Sequence, residues 1–303
     1  MVTVLALAAA LLYGTADFLG GVATRRAKAL SILPASALSG AVVLLVAALV
    51  SGESATATGI RWGLIAGTVG GVGLIVFYIG LAEGPMSVVA PTSALVSTIL
   101  PVGIAIADGE RADVTVYVGG LICLVAIVAV SAAGSAANDV PAAGPPGGAM
   151  PHQPDTPARW TGRVFPLRAI AFGVASGISF GLFFLFLRNA GKSGPLWPVV
   201  ASRGAGFALV VIAACAVRAR PVIARGGTRL LLATFGSGAI DATANVCYVL
   251  ATRAGLFGLA VVLTSLYPGM TVLLARLVLG ERLRPVQLGG LLLAAAGVLL
   301  VTI

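Results

Sequence analysis

Residues Trp62–Leu81 read WGLIAGTVGGVGLIVFYIGL, twenty positions without one charged side chain. A helix of that length rises ~30 Å, the thickness of a bilayer's hydrocarbon core. Within it, Gly63, Gly67 and Gly71 fall four apart, with Gly70 and Gly73 beside them. One side of the helix is therefore nearly bare backbone, which lets a second helix approach closely in lipid. The same stripe would also suit a sliding surface or hinge. Gly67 and Gly71 are thus candidates for packing and gating.

Runs of the same kind recur along the chain. Working outward gives ten spans: Val2–Thr24, Ile32–Val50, Trp62–Leu81, Val88–Ala107, Val114–Ala132, Ala169–Leu187, Trp197–Val217, Leu230–Ala251, Leu256–Leu279 and Val286–Ile303. Composition agrees: of 303 residues 59% are hydrophobic and 10% charged, against about 25% charged in soluble domains. Too few charges remain to coat a soluble core. The net charge of +9 resides almost wholly in gaps between apolar runs. Membrane loops show that pattern, whereas a nucleic-acid binder gathers its charge into a polar stripe. Basic Arg25, Arg26 and Lys28 follow the first apolar run, so it reads as a retained helix and not as a cleaved signal.

Metal and redox chemistry find no support in the sequence. Cys123, Cys215 and Cys247 are isolated within apolar runs and read as small buried hydrophobes. The single histidine, His152, sits in a polar stretch. We expect no cofactor and no metal. No phosphate loop, nucleophile elbow or zinc spacing is present, so ATP-driven transport by this chain alone is not expected.

Between about Ala133 and Pro166 the composition changes. Pro141, Pro145, Pro146, Pro151, Pro154 and Pro157 fall among Ala, Gly and polar residues, a density that opposes regular structure. We read 133–166 as a linker between two halves, 1–132 and 167–303, of five spans each. The halves resemble one another. Ala35 to Gly40 aligns with Ala201 to Gly206, Tyr13-Gly14 with Phe180-Gly181, and Tyr78 with Tyr248. Gly109-Glu110-Arg111 aligns with Gly280-Glu281-Arg282, and Gly119-Gly120-Leu121 with Gly289-Gly290-Leu291, at offsets between 166 and 171 throughout. Five crossings start the second copy on the opposite side of the membrane. The expected fold is therefore all-α and integral to the membrane, ten transmembrane helices as two inverted five-helix repeats, an arrangement suited to alternating access.

In these features the chain resembles the EamA-like, ten-span members of the drug/metabolite transporter superfamily. The resemblance lies in an aromatic-Gly pair in the first helix of each half, a Pro in the fourth, and a Gly-Glu pair at the turn into the fifth. Here these are Tyr13-Gly14, Pro101 and Gly109-Glu110, then Phe180-Gly181, Pro268 and Gly280-Glu281. The family often carries an Arg early in a half's second helix, the place of Arg203, where the first half has Ala37. One departure stands out: Pro268 precedes Glu281 by 13 residues but Pro101 precedes Glu110 by nine. The difference is about one helical turn, so the fourth span should be shorter than the ninth or kinked differently. The resemblance implies secondary transport, as efflux or exchange, of a small metabolite, amino acid or drug-like solute across the cell membrane.

Of the ten acidic residues only Asp17 and Asp241 lie deep within spans. An unpaired carboxylate at bilayer depth costs at least ~2.5 kcal/mol, so one that is kept faces a wet cavity or a partner. Asn245 shares a helix face with Asp241, and Tyr13 shares one with Asp17, being four residues away. Asp241, Asp17, Asn245, Tyr13, Tyr248 and Arg203 are accordingly the candidates for binding substrate or protons. The alternative is carboxylates held as packing glue, with Arg203 either snorkelling to the interface or paired with Asp241. Pro101 and Pro268 are gating candidates, because each removes a backbone hydrogen bond. Ser97, Thr98, Thr264, Ser265 and Tyr267 before them would line a cavity or patch freed carbonyls. The Gly-Glu-Arg turns read as helix caps.

Expected partners are a small-molecule substrate, membrane lipids and protons, with a homodimer as an open alternative and no nucleic acid. A flippase for a lipid-linked group is the second reading, and a membrane enzyme or assembly factor the third. Orientation is contested. Loops on the side of the first gap hold about 12 Lys or Arg and those on the side of the termini about five. The positive-inside rule then places the termini outside the cytoplasm, whereas the resemblance implies cytoplasmic termini.

Overall fold

A computed structural model describes residues 1–24, 27, 29–83, 86–111, 113–138, 165–190, 194, 196–218, 227–279 and 285–302. The Gly280-Glu281-Arg282 turn, His152, Arg25, Arg26, Lys28 and most of the linker lie outside these residues.

Within them every regular element is a helix: α1 (Val2–Thr24), α2 (Ala29–Val50), α3 (Ala57–Glu83), α4 (Met86–Ala107), α5 (Val114–Asn138), α6 (Phe165–Asn189), α7 (Leu196–Ala216), α8 (Thr228–Ala254), α9 (Phe257–Thr264), α10 (Tyr267–Leu279) and α11 (Pro285–Thr302). A helix satisfies its own backbone, which hydrocarbon demands. Seven spans, counting α9 and α10 together, are long and apolar enough to cross a membrane, and α4, α5 and α11 add shorter apolar stretches. Large apolar side chains point outward, among them Val46 and Leu49 on α2, Leu121 on α5 and Leu292 on α11. Such a surface is stable against lipid and not against water.

Three features differ from the sequence reading. Helix α5 runs on to Asn138 and α6 begins at Phe165, so the helices intrude on both ends of the expected linker; Ala133, Ala136 and Ala137 favour helix enough to carry it past the single Gly134, and no proline stands before Asn138. Cys215 is exposed near the end of α7, whereas Cys123 is buried. The ninth span is two helices. Proline 268 offers no N–H, and its ring crowds the carbonyl four residues back, so the helix stops at Thr264 and restarts at Tyr267. In α4, by contrast, Pro101 sits in an uninterrupted helix. The fourth and ninth spans are thus kinked differently.

The two halves interlock through glycine. Helix α3 packs on α6 and α7, and α8 packs on α1 and α2. A Cβ added to Gly67 would fall on the Ser202 carbonyl, and one added to Gly238 would fall on the Ser36 carbonyl. These are corresponding contacts, since Ser36 aligns with Ser202. Gly71 abuts Leu209 and Gly206. The Ser39 hydroxyl donates across the second seam to the Phe235 carbonyl at 2.8 Å.

Candidate functional site

The polar cluster forms where α1 meets α8. That seam is made of small residues: Ala9, Ala10 and Ala16 on α1, Ala242 and Ala244 on α8, all buried. Small side chains let the axes approach, and the Ser237 hydroxyl donates to the Ala16 carbonyl at 2.8 Å. Asp241 lies one turn beyond Ser237, and Tyr13 and Asp17 flank Ala16 on α1. The seam therefore brings residues more than two hundred positions apart to one depth near the middle of the bundle.

Arg203 of α7 forms an ion pair with Asp241, through Nη1 and Oδ2. Its Nη2 also donates to the Asp241 main-chain carbonyl at 3.4 Å. The side chains are 21% and 30% exposed, so the pair is only partly buried. Asn245 is buried; its Nδ2 donates to the Asp241 carbonyl at 2.8 Å, leaving Oδ1 without a partner among the described residues. One backbone carbonyl thus receives a donor from each side, which holds the Asp241 turn in place.

Asp17 is different. It is accessible while its neighbours Ala16 and Phe18 are buried. It lies within electrostatic reach of Asp241 on α8 and Tyr267 on α10. No cation pairs with it among the described residues. Tyr13 and Tyr267 stand 6.1 Å apart between ring centres, tilted by 60°. The Tyr13 hydroxyl is buried without a partner among the described residues and lies within electrostatic reach of Asp241 and Arg203. Carboxylate, unpartnered hydroxyl and aromatic faces brought together at this seam can hold a small polar or cationic group.

The other sequence candidates sit elsewhere. Tyr248 is wholly buried; its hydroxyl donates to the Phe184 carbonyl at 3.3 Å and its ring packs 4.7 Å from that of Phe184. It supports the core beneath the site. Gly67 and Gly71 lie on the α3–α7 seam. Pro101 packs beside Gly181. Of the residues before the prolines, Ser97 and Thr98 both turn back on the Ala94 carbonyl, at 3.0 and 2.9 Å, and Ser265 on that of Val261 at 2.8 Å. Their hydroxyls serve the helix and not a cavity. Sequence reading overlooked Arg188, which meets Asp108 and Phe257 at the end of the bundle; its place at the end of a span marks it as interfacial without naming a partner.

Against this geometry the comparisons can be set. Residues 167–303, α6 to α11 with their loops, match the EamA-like transporter family. That stretch is similar to a family of transporters, and with the apolar helices the match makes the chain a multi-pass membrane protein. No curated protein matches the chain significantly. A solved crystal structure superposes with a TM-score of 0.69 over 99% of this chain and 96% of its own, at 16% identity. At that identity the likeness concerns the fold alone, and it covers nearly the whole of both chains.

Proposed function

We propose that this EamA-like chain is a secondary transporter that moves a small metabolite, amino acid or drug-like solute by alternating access, as efflux or exchange. The reading includes ten spans in two inverted five-helix repeats, 1–132 and 167–303, joined by the linker. The observation that carries it is a half-accessible polar cluster, Asp17, Tyr13 and the Arg203–Asp241 pair, held at mid-bundle where the halves meet. Groups so costly in hydrocarbon are kept where they line a path. The corresponding contacts of Gly67 with Ser202 and Gly238 with Ser36 support the repeat. Asp17 is the acid left free to take a proton or the cationic group of a solute, because Asp241 is already engaged by Arg203.

The test is flux in liposomes holding the purified protein and a mixed metabolite pool, with and without a proton gradient. Protein-dependent accumulation or counterflow of a solute, lost in Asp17→Asn, is expected. Folded protein that moves no member of the pool under either condition would refute the reading.

A further inference from the structure

Among the described residues, the links between the halves that involve a charged side chain lie at the end of the bundle that carries both termini, and two of them follow a glycine with positive φ. Gly52 and Gly109 have φ of +68° and +87°, and each precedes a glutamate. At the end of α4 the Gly109 N–H donates to the Ile106 carbonyl at 3.0 Å and the Glu110 N–H to the Ala105 carbonyl at 3.0 Å. This is the Schellman turn, whose left-handed residue glycine adopts without strain. It aims Glu110 at the other half. Oε2 accepts the Phe257 N–H at 3.0 Å and Oε1 the Gly258 N–H at 2.8 Å. These N–H groups open α9 and have no partner within it, and a carboxylate there meets the positive end of the helix dipole.

Glu53 follows α2 in a different turn, its own N–H donating to the Ser51 hydroxyl at 3.3 Å, yet it too reaches the other half. Its Oε2 accepts the Leu196 N–H at 3.2 Å, and its main-chain carbonyl accepts the Trp197 indole N–H at 2.7 Å, both at the start of α7. Arg188 of α6 adds a link in the opposite sense, 3.4 Å from Asp108 and 4.3 Å above the Phe257 ring.

We propose that Glu110 and Glu53 form the latch of this end, each having to leave its helix N-terminus before the end can open. The inference rests on the alternating-access reading. It asks more of the two glutamates than local capping does, because each caps a helix of the opposite half. Water can replace the N–H donors once the end opens, so the contact is reversible.

The experiment uses the full chain in liposomes, with its three cysteines replaced and single reporters at Ala105→Cys or Gly21→Cys. Ala105 is buried on α4 under the latch. Gly21 lies towards the other end of α1, where an added side chain meets nothing within 4 Å. A water-soluble maleimide should label Ala105→Cys at least ~10-fold faster in Glu110→Ala, which loses two charge-assisted hydrogen bonds, each worth about that factor or more, and faster still when Glu53→Ala is added. Gly21→Cys should label more slowly in the same proteins. Faster labelling at Ala105→Cys with no change at Gly21→Cys keeps the latch and refutes alternation. Unchanged labelling at Ala105→Cys in folded protein overturns the latch. Glu110→Gln, which retains one acceptor oxygen, should be intermediate and serves should Glu110→Ala not fold.

Discussion

Arg203 holds Asp241 twice, pairing with its carboxylate and also reaching its main-chain carbonyl. The ion pair joins α7 to α8, two helices that otherwise touch little. Removing one partner leaves the other charge without its counter-ion at membrane depth, which is more destabilising than removing both.

Asp241→Asn should therefore lower the stability of the folded protein by about 2 kcal/mol, a value reduced from that of a fully buried pair for its partial exposure. The double variant Arg203→Gln with Asp241→Asn should recover more than half of that loss without recovering transport. Thermal unfolding followed by size-exclusion chromatography, with flux measured in parallel, checks both parts. A double variant no more stable than the single one would mean that the pair contributes no coupling.

Asp17→Asn should fold as well as the parent, since no partner among the described residues is lost. Gradient-driven accumulation should fall at least tenfold, while exchange down a gradient survives. The pH profile of the remaining flux should flatten. A parental pH profile in Asp17→Asn would return Asp17 to a packing role.

Gly67→Leu should abolish most of the folded, monodisperse protein, because the side chain would displace the Ser202 backbone on α7. Gly103→Leu on α4 is the proper control, since nothing lies within 4 Å of a Cβ there. Gly80 would be a poor one despite its place near the end of α3: its added Cβ would lie 2.6 Å from that of Phe172. Comparable yields of Gly67→Leu and Gly103→Leu would argue that the α3–α7 seam tolerates separation.

Deleting residues 139–155 should leave insertion, folding and flux unchanged. A deletion that begins at Ser135 takes the last turn of α5 as well and should lower the melting temperature. Protease protection and flux would register the difference.

The spans are legible in the sequence because hydrocarbon imposes length and composition directly. The proposed duplication rests in the sequence on aligned residues that keep their order. Pairing is not. Arg203 and Asp241 lie on different helices, and no local periodicity says whether Arg203 snorkels or turns inward. Tyr248 is an attractive polar candidate in sequence, yet its hydroxyl is consumed by the Phe184 carbonyl. The Gly-Glu turns read as caps of their own helices. Only the packing of α4 against α9 discloses that Glu110 caps a helix in the opposite half.

The gap between Thr264 and Tyr267 has a mechanical consequence. A continuous helix transmits displacement along its length as a rod does. Here α9 is fastened to the first half by Glu110, while α10 is fastened to α1, where the Thr271 hydroxyl donates to the Gly14 carbonyl at 3.2 Å. The turn between them, in which the Ser265 N–H donates to the Val261 carbonyl and the Leu266 N–H to that of Leu263, interrupts the rod. Force applied at the bundle's end should bend the chain there and move α9 without dragging Tyr267 out of register, so the polar cluster keeps its shape while the mouth moves.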